Sequence, residues 1–99
     1  MAKILCFPTI QDFKLFSSKA TIGKKYYIEE IKDYVSVKER TYGDSIVYSA
    51  LEYSESLPTH VKEELNKPLY HDTLEHKQFN WSYKKEKQIK KEKWYGRLL

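Results

Sequence analysis

Cysteine occurs once, at Cys6, so no disulfide can close within the chain, and a lone thiol fits a reducing, intracellular compartment. Glycine occurs only at positions 23, 43 and 96, which leaves no Gly-rich loop to cradle a phosphate. With three glycines and three prolines in 99 residues, collagen-like and Pro/Gly-rich low-complexity readings fail as well. No apolar run approaches the ~20 residues needed to span a bilayer. The longest apolar stretch near the start, Ile4-Leu5-Cys6-Phe7, is too short for the core of a signal peptide, and no membrane association is expected. Metal-type ligands are sparse too. Apart from carboxylates there are Cys6, His60, His71 and His76; His71 and His76 stand five apart, off a shared helical face, and there is no Cys pair or His-Glu-x-x-His run. No metal, cofactor or catalytic residue is therefore expected.

Arginine is nearly missing: sixteen of the 18 basic residues are lysine, and only Arg40 and Arg97 carry a guanidinium. Arg reads guanine edges and grips phosphate with a planar fork, whereas Lys is a hydrated point charge. Any nucleic acid bound here would be held by its phosphates, without sequence readout.

What the chain does have is cationic charge gathered at one end. The formal net charge is +4, yet residues 83–99 alone carry seven bases and two acids, or +5, so the first 82 residues sum to −1. Within those, residues 51–82 hold three bases against six acids. An acidic middle that meets a basic end suits a polyanion-binding segment, and equally a solvated helix dressed in Lys and Glu.

The length allows one domain, residues 1–99, with a small core. Ile4–Phe7, closed by Pro8, reads as a buried strand. Thr9 is placed to cap a short helix with Ile10, Phe13 and Phe16 at helical spacing; Asp12 supplies an imperfect capping box. Residues 17–25 read as a loop. Tyr27, Ile28 and Ile31 follow helical spacing, which predicts a helix over Tyr26–Lys32 although these residue types also favour strands. Thr41-Tyr42-Gly43-Asp44 is a turn signal, with Gly43 able to take positive φ, and it predicts a β-hairpin from about Tyr34 to Tyr53. Thr59 is expected to cap a short helix that Pro68 stops. Asp72-Thr73-Leu74-Glu75 is a second capping-box pattern. Phe79, Trp81 and Tyr83 alternate with polar residues as one face of a strand would. Lys84–Tyr95 is helix-forming by propensity, with polar residues all round. The fold class expected is α+β: an antiparallel sheet of three or four strands centred on the Gly43 hairpin, packed by short helices, with a basic C-terminal helix.

Two constellations stand out. The aromatic run Phe79-Asn80-Trp81-Ser82-Tyr83 leads straight into Lys84-Lys85. Aromatics beside bases suit base stacking plus phosphate contact on single strands, but Phe79 and Trp81 are better explained as the core of a small sheet. The candidate nucleic-acid-binding set is Lys84, Lys85, Lys87, Lys90, Lys91, Lys93 and Arg97 with Trp81 and Tyr83. The second constellation is the terminus, where Trp94, Tyr95, Leu98 and Leu99 form a candidate interface. Aromatic residues are common anchors of interfaces, so these four either pack on the chain's own core or meet a partner, including a second copy in a homodimer.

Asn and Gln total five, Cys and Met together two, tyrosine reaches nine, and 32% of the residues are charged. Few thermolabile residues with many Lys and Glu is a hyperthermophile pattern. In this composition the chain resembles the small orphan proteins of archaeal viruses, the lipothrixvirus and rudivirus type. The resemblance rests on no motif and transfers no functional residue. It implies residence in the host cytoplasm, frequent homodimers, and roles in binding nucleic acid or blocking host defence. The function expected is non-enzymatic binding of nucleic acid through the Lys-rich segment. The alternatives are a protein-binding inhibitor of a host factor and a nuclease built on Glu63, Glu64 or a histidine.

Overall fold

A computed structural model describes residues 3–71 and 78–85. Strand β1 (Lys3–Phe7) leads to helix α1 (Ile10–Ser17), then strands β2 (Lys25–Ile28), β3 (Asp33–Tyr42) and β4 (Ile46–Glu52). Helix α2 (Thr59–Asn66), strand β5 (Leu69–Tyr70) and strand β6 (Ser82–Lys85) follow. The strands form one sheet in the order β5-β4-β3-β2-β1-β6. The fold is α+β, as the sequence leads one to expect. The sheet is larger than the three or four strands expected, and it is not wholly antiparallel, because β1 and β2 run parallel. Parallel neighbours need a crossover, and α1 supplies it.

Helix α1 starts where its cap residue dictates. Thr9 is extended, and its hydroxyl accepts from the Asp12 backbone N–H at 3.2 Å and donates to Asp12 Oδ2 at 2.6 Å. Beyond the far end of α1, Arg40 on β3 donates from Nη1 to the carbonyls of Ser17 and Ala20, at 2.9 and 2.6 Å. These bonds give partners to carbonyls that a helix terminus leaves unsatisfied. Helix α2 begins differently from expectation. Pro58 occupies the cap position, Thr59 is the first helical residue, and no side chain caps it. Proline's fixed φ and missing N–H suit the start of a helix, so the cap is dispensable. The chain leaves α2 at Lys67, which is extended as a residue before proline prefers to be.

The segment Tyr26–Lys32 is not a helix. Tyr26, Tyr27 and Ile28 are buried in β2, and the chain then turns with Lys32 at φ 49°. Tyr26 and Ile28 face the helices while Tyr27 faces away, so both sides of the strand are buried. A strand buried on both faces loses the alternation that would reveal it. The Gly43 hairpin forms as expected from β3 and β4, with a bulge between Val37 and Glu39. Its positive φ falls on Ser45 (68°) rather than on Gly43, whose N–H instead donates to the Ile46 carbonyl at 2.8 Å. Asp72–Glu75 lies outside the described residues.

Both helices pack on one face of the sheet. The core there joins Leu5 and Phe7 of β1, Ile10 and Phe13 of α1, Tyr26, Ile28, Val35 and Val37, and Val61 and Leu65 of α2. Phe7 is its centre, with ring centroids of Phe16 at 5.0 Å, Phe13 at 5.5 Å, Tyr26 at 6.1 Å and Phe79 at 6.3 Å. On the opposite face Cys6 and Tyr27 are buried beside Ile4 and Tyr34, and the Cys6 Sγ lies 3.4 Å from the Ile4 carbonyl. A buried thiol of this kind behaves as a small packing residue.

Candidate nucleic-acid interface

The β1 edge of the sheet decides where the aromatic and basic residues go. Strand β6 pairs antiparallel with β1 in the register Lys3↔Lys85, Ile4↔Lys84, Leu5↔Tyr83 and Cys6↔Ser82. The expected C-terminal helix therefore does not start at Lys84. Lys84 and Lys85 are strand residues, because an unpaired β1 edge offers hydrogen bonds that outweigh the modest helix propensity of lysine. The expected strand over Phe79–Tyr83 is shorter than its pattern suggests, beginning only at Ser82. Phe79, Trp81 and Tyr83 nevertheless line one cleft.

Directly paired residues share a face, and successive residues alternate. Lys3, Leu5, Tyr83 and Lys85 thus lie on the helix side of the sheet, and Ile4, Cys6, Ser82 and Lys84 on the other. Lys84 is engaged there: its Nζ sits 2.5 Å from Glu29 Oε1. Lys85 is exposed on the helix side. Lys87, Lys90, Lys91, Lys93 and Arg97 lie outside the described residues, as do Trp94, Tyr95, Leu98 and Leu99.

The cleft on the helix side has a volume of about 240 Å³ and is lined by Leu5, Phe16, Lys19, Phe79, Trp81 and Tyr83. Phe79 is half-buried against the core and meets Phe16 at 5.7 Å between ring centroids. The Lys19 ammonium sits 4.8 Å above the Phe79 ring, a cation–π contact. Trp81 and Tyr83 meet edge to face at 5.4 Å and stay 54% and 58% exposed, so they are not the sheet's core. The residues before β6 are pinned by a buried carboxylate: Asp12 Oδ1 accepts from the Asn80 N–H at 2.9 Å while Oδ2 accepts from Thr9. The cap of α1 and the aromatic run thus share one anchor.

Lys3 and Lys19 join this surface without any local signal in the sequence. Lys3 arrives by strand pairing and Lys19 by the packing of Phe16 and Phe79. Elsewhere, Glu63, Glu64 and His60 line a separate cleft of about 710 Å³ between the start of α1 and α2, together with Glu30. Glu30 is already occupied, its Oε1 accepting from the Ile10 N–H at 2.8 Å. Glu63 and Glu64 are adjacent on α2, and neighbouring helical residues do not face one another. Among the described residues no three His, Cys, Asp or Glu side chains gather as a metal site would require. No helix among them is long and apolar enough to cross a membrane. Comparison of the chain with protein-family models, with curated proteins and with solved structures gave no match.

Proposed function

We propose that this chain is a small non-enzymatic protein that binds nucleic acid through its Lys-rich C-terminal segment, working in the reducing cytoplasm of a host as a viral protein would. The observation that carries the reading is the charge of residues 83–99: seven bases and two acids in a chain that is otherwise near neutral. Strand β6 supports it by anchoring the start of that segment at the sheet edge, where Lys85 is exposed beside Trp81 and Tyr83. Lysines act on phosphate as point charges, so binding is led by counterion release and is indifferent to sequence. Changing Lys84, Lys85, Lys90 and Lys91 to glutamine tests this. The slope of log affinity against log salt on duplex DNA should flatten by about 0.9 for each phosphate that is no longer neutralised. Lys84 is already paired with Glu29, so its change alone should alter the slope little. A quadruple variant that binds with the parent's affinity and slope refutes the reading.

One observation favours a second reading, an inhibitor that docks on a host protein. At the opposite edge of the sheet, Tyr48 and Tyr70 are 48% and 56% exposed. They share a face, because Ile46 pairs with Tyr70 and Tyr48 follows two residues on. Tyrosine is a common interface anchor. This reading expects a host protein retained in stoichiometric amount at a salt concentration that strips nucleic acid, and retention abolished by Tyr48→Ala and Tyr70→Ala. Retention that survives both changes counts against it.

A further inference from the structure

We propose that the cleft beside β6 receives an unpaired nucleobase, which makes the protein a binder of single strands in preference to duplex. The inference rests on the nucleic-acid reading above and adds a site and a ligand class to it.

Shape and chemistry agree at this site. The cleft has an apolar floor, Leu5, Phe16 and Phe79, and an aromatic rim, Trp81 and Tyr83. The rim rings are more than half exposed. Contiguous exposed apolar surface of this kind marks interaction sites and ligand-binding grooves. Their edge-on contact leaves ring faces on which a flat base can stack. Every base has such a π-face, so stacking needs no particular sequence.

Charge identifies the partner as a polyanion. Lys19 lines the cleft, and Lys3 and Lys85 lie exposed on the same side of the sheet next to Leu5 and Tyr83. No carboxylate among the described residues lines the cleft. Asp12, bonded to the neighbouring Asn80, is buried and has both oxygens occupied by Thr9 and Asn80. Glu29 faces the other side of the sheet, where it holds Lys84. An apolar peptide could fill the floor, but it would bring no counter-charge to these ammonium groups. A nucleotide strand offers a base for the cleft and phosphates for the lysines. In a duplex the bases are already stacked on one another and cannot enter.

The test uses the full chain, with oligo(dT), oligo(U) and a duplex of equal length as probes, read by fluorescence anisotropy at several salt concentrations. Single strands should bind about tenfold more tightly than duplex, since each stacked base carries roughly 1–3 kcal/mol. Trp81→Ala with Tyr83→Ala should remove about tenfold or more of the single-strand affinity, a larger factor than it removes from duplex affinity. Trp81→Phe should keep most of the binding. It should also abolish that part of the tryptophan emission which single strands quench in the parent. Lys19→Gln should flatten the single-strand salt slope by about 0.7. If single strands and duplex both bind with a steep salt slope but the double variant behaves as the parent, the cleft assignment is wrong and the phosphate-led reading survives. If none of the three probes binds at low salt, that reading falls and this inference falls with it.

Discussion

Phe7→Ala should destabilise the fold by about 3–5 kcal/mol, the usual cost of removing a buried phenylalanine. Phe7 is fully buried and its ring meets four others, from α1 (Phe13, Phe16), β2 (Tyr26) and the run before β6 (Phe79). Collapse of any one neighbour into the space would pull on the other three, so the cavity cannot close cheaply. A domain of this size is held by only about 5–10 kcal/mol, and the loss would leave a large unfolded fraction on mild warming. Urea unfolding followed by circular dichroism should show a much lower midpoint. The same variant should release Phe79 and blunt the cleft at β6. A midpoint within a few tenths of the parent's, in molar urea, would show that the aromatic cluster is not the centre of the core.

Stability should rise with pH between about 8 and 10.5, and Lys14 is the reason. Lys14 is 4% exposed, wedged between α1 and the end of α2, where its Nζ donates to the Glu64 carbonyl at 2.7 Å. Burial pushes its pKa down from 10.5 to about 8; the Glu64 carboxylate resists the change and Lys67 adds to it. In that window the unfolded chain holds a proton that the folded chain has released, so raising the pH favours folding. Below about pH 8 the folded state carries the buried charge and its full cost. The gain across the window is at most about 3 kcal/mol. Lys14→Met keeps the length of the side chain and removes the charge. The Glu64 carbonyl retains the Lys67 N–H as a donor, so no acceptor is orphaned. The variant should be more stable than the parent at pH 7 by about 2 kcal/mol, and the difference should vanish towards pH 10.5. Thermal unfolding of both proteins over pH 6 to 11 measures it. A parent whose stability falls with pH in step with the variant's would contradict the burial of this ammonium.

The features legible in the sequence are the local ones. Thr9 and Asp12 announce the start of α1 because a cap acts within a single turn. The Gly43 hairpin is visible because its two strands flank the turn that makes them. Pro68 announces the end of α2 for a similar reason. What stayed hidden depends on distant partners. Strand β2 looks helical because Tyr27 is buried on one face while Tyr26 and Ile28 are buried on the other. The second half of β6 looks helical because Lys84 and Lys85 favour helices, and only the open edge of β1, nearly eighty residues earlier, makes them a strand. Lys14 reads as an ordinary surface lysine until α2 is laid over it. Of the candidate interface, Trp81, Tyr83 and Lys85 could be named from their neighbours in sequence. Lys3 and Lys19 could not, because strand pairing and ring packing bring them there.

Cationic charge at the β6 end of this protein is proposed to serve an external polyanion. Titration of the full chain with labelled single-stranded and duplex oligonucleotides across a range of salt concentrations tests it most directly. Binding should be tight at low salt, with a log–log slope that corresponds to several neutralised phosphates, and tighter for the single strands. Binding that is absent at low salt, or that shows no dependence on salt, would contradict it.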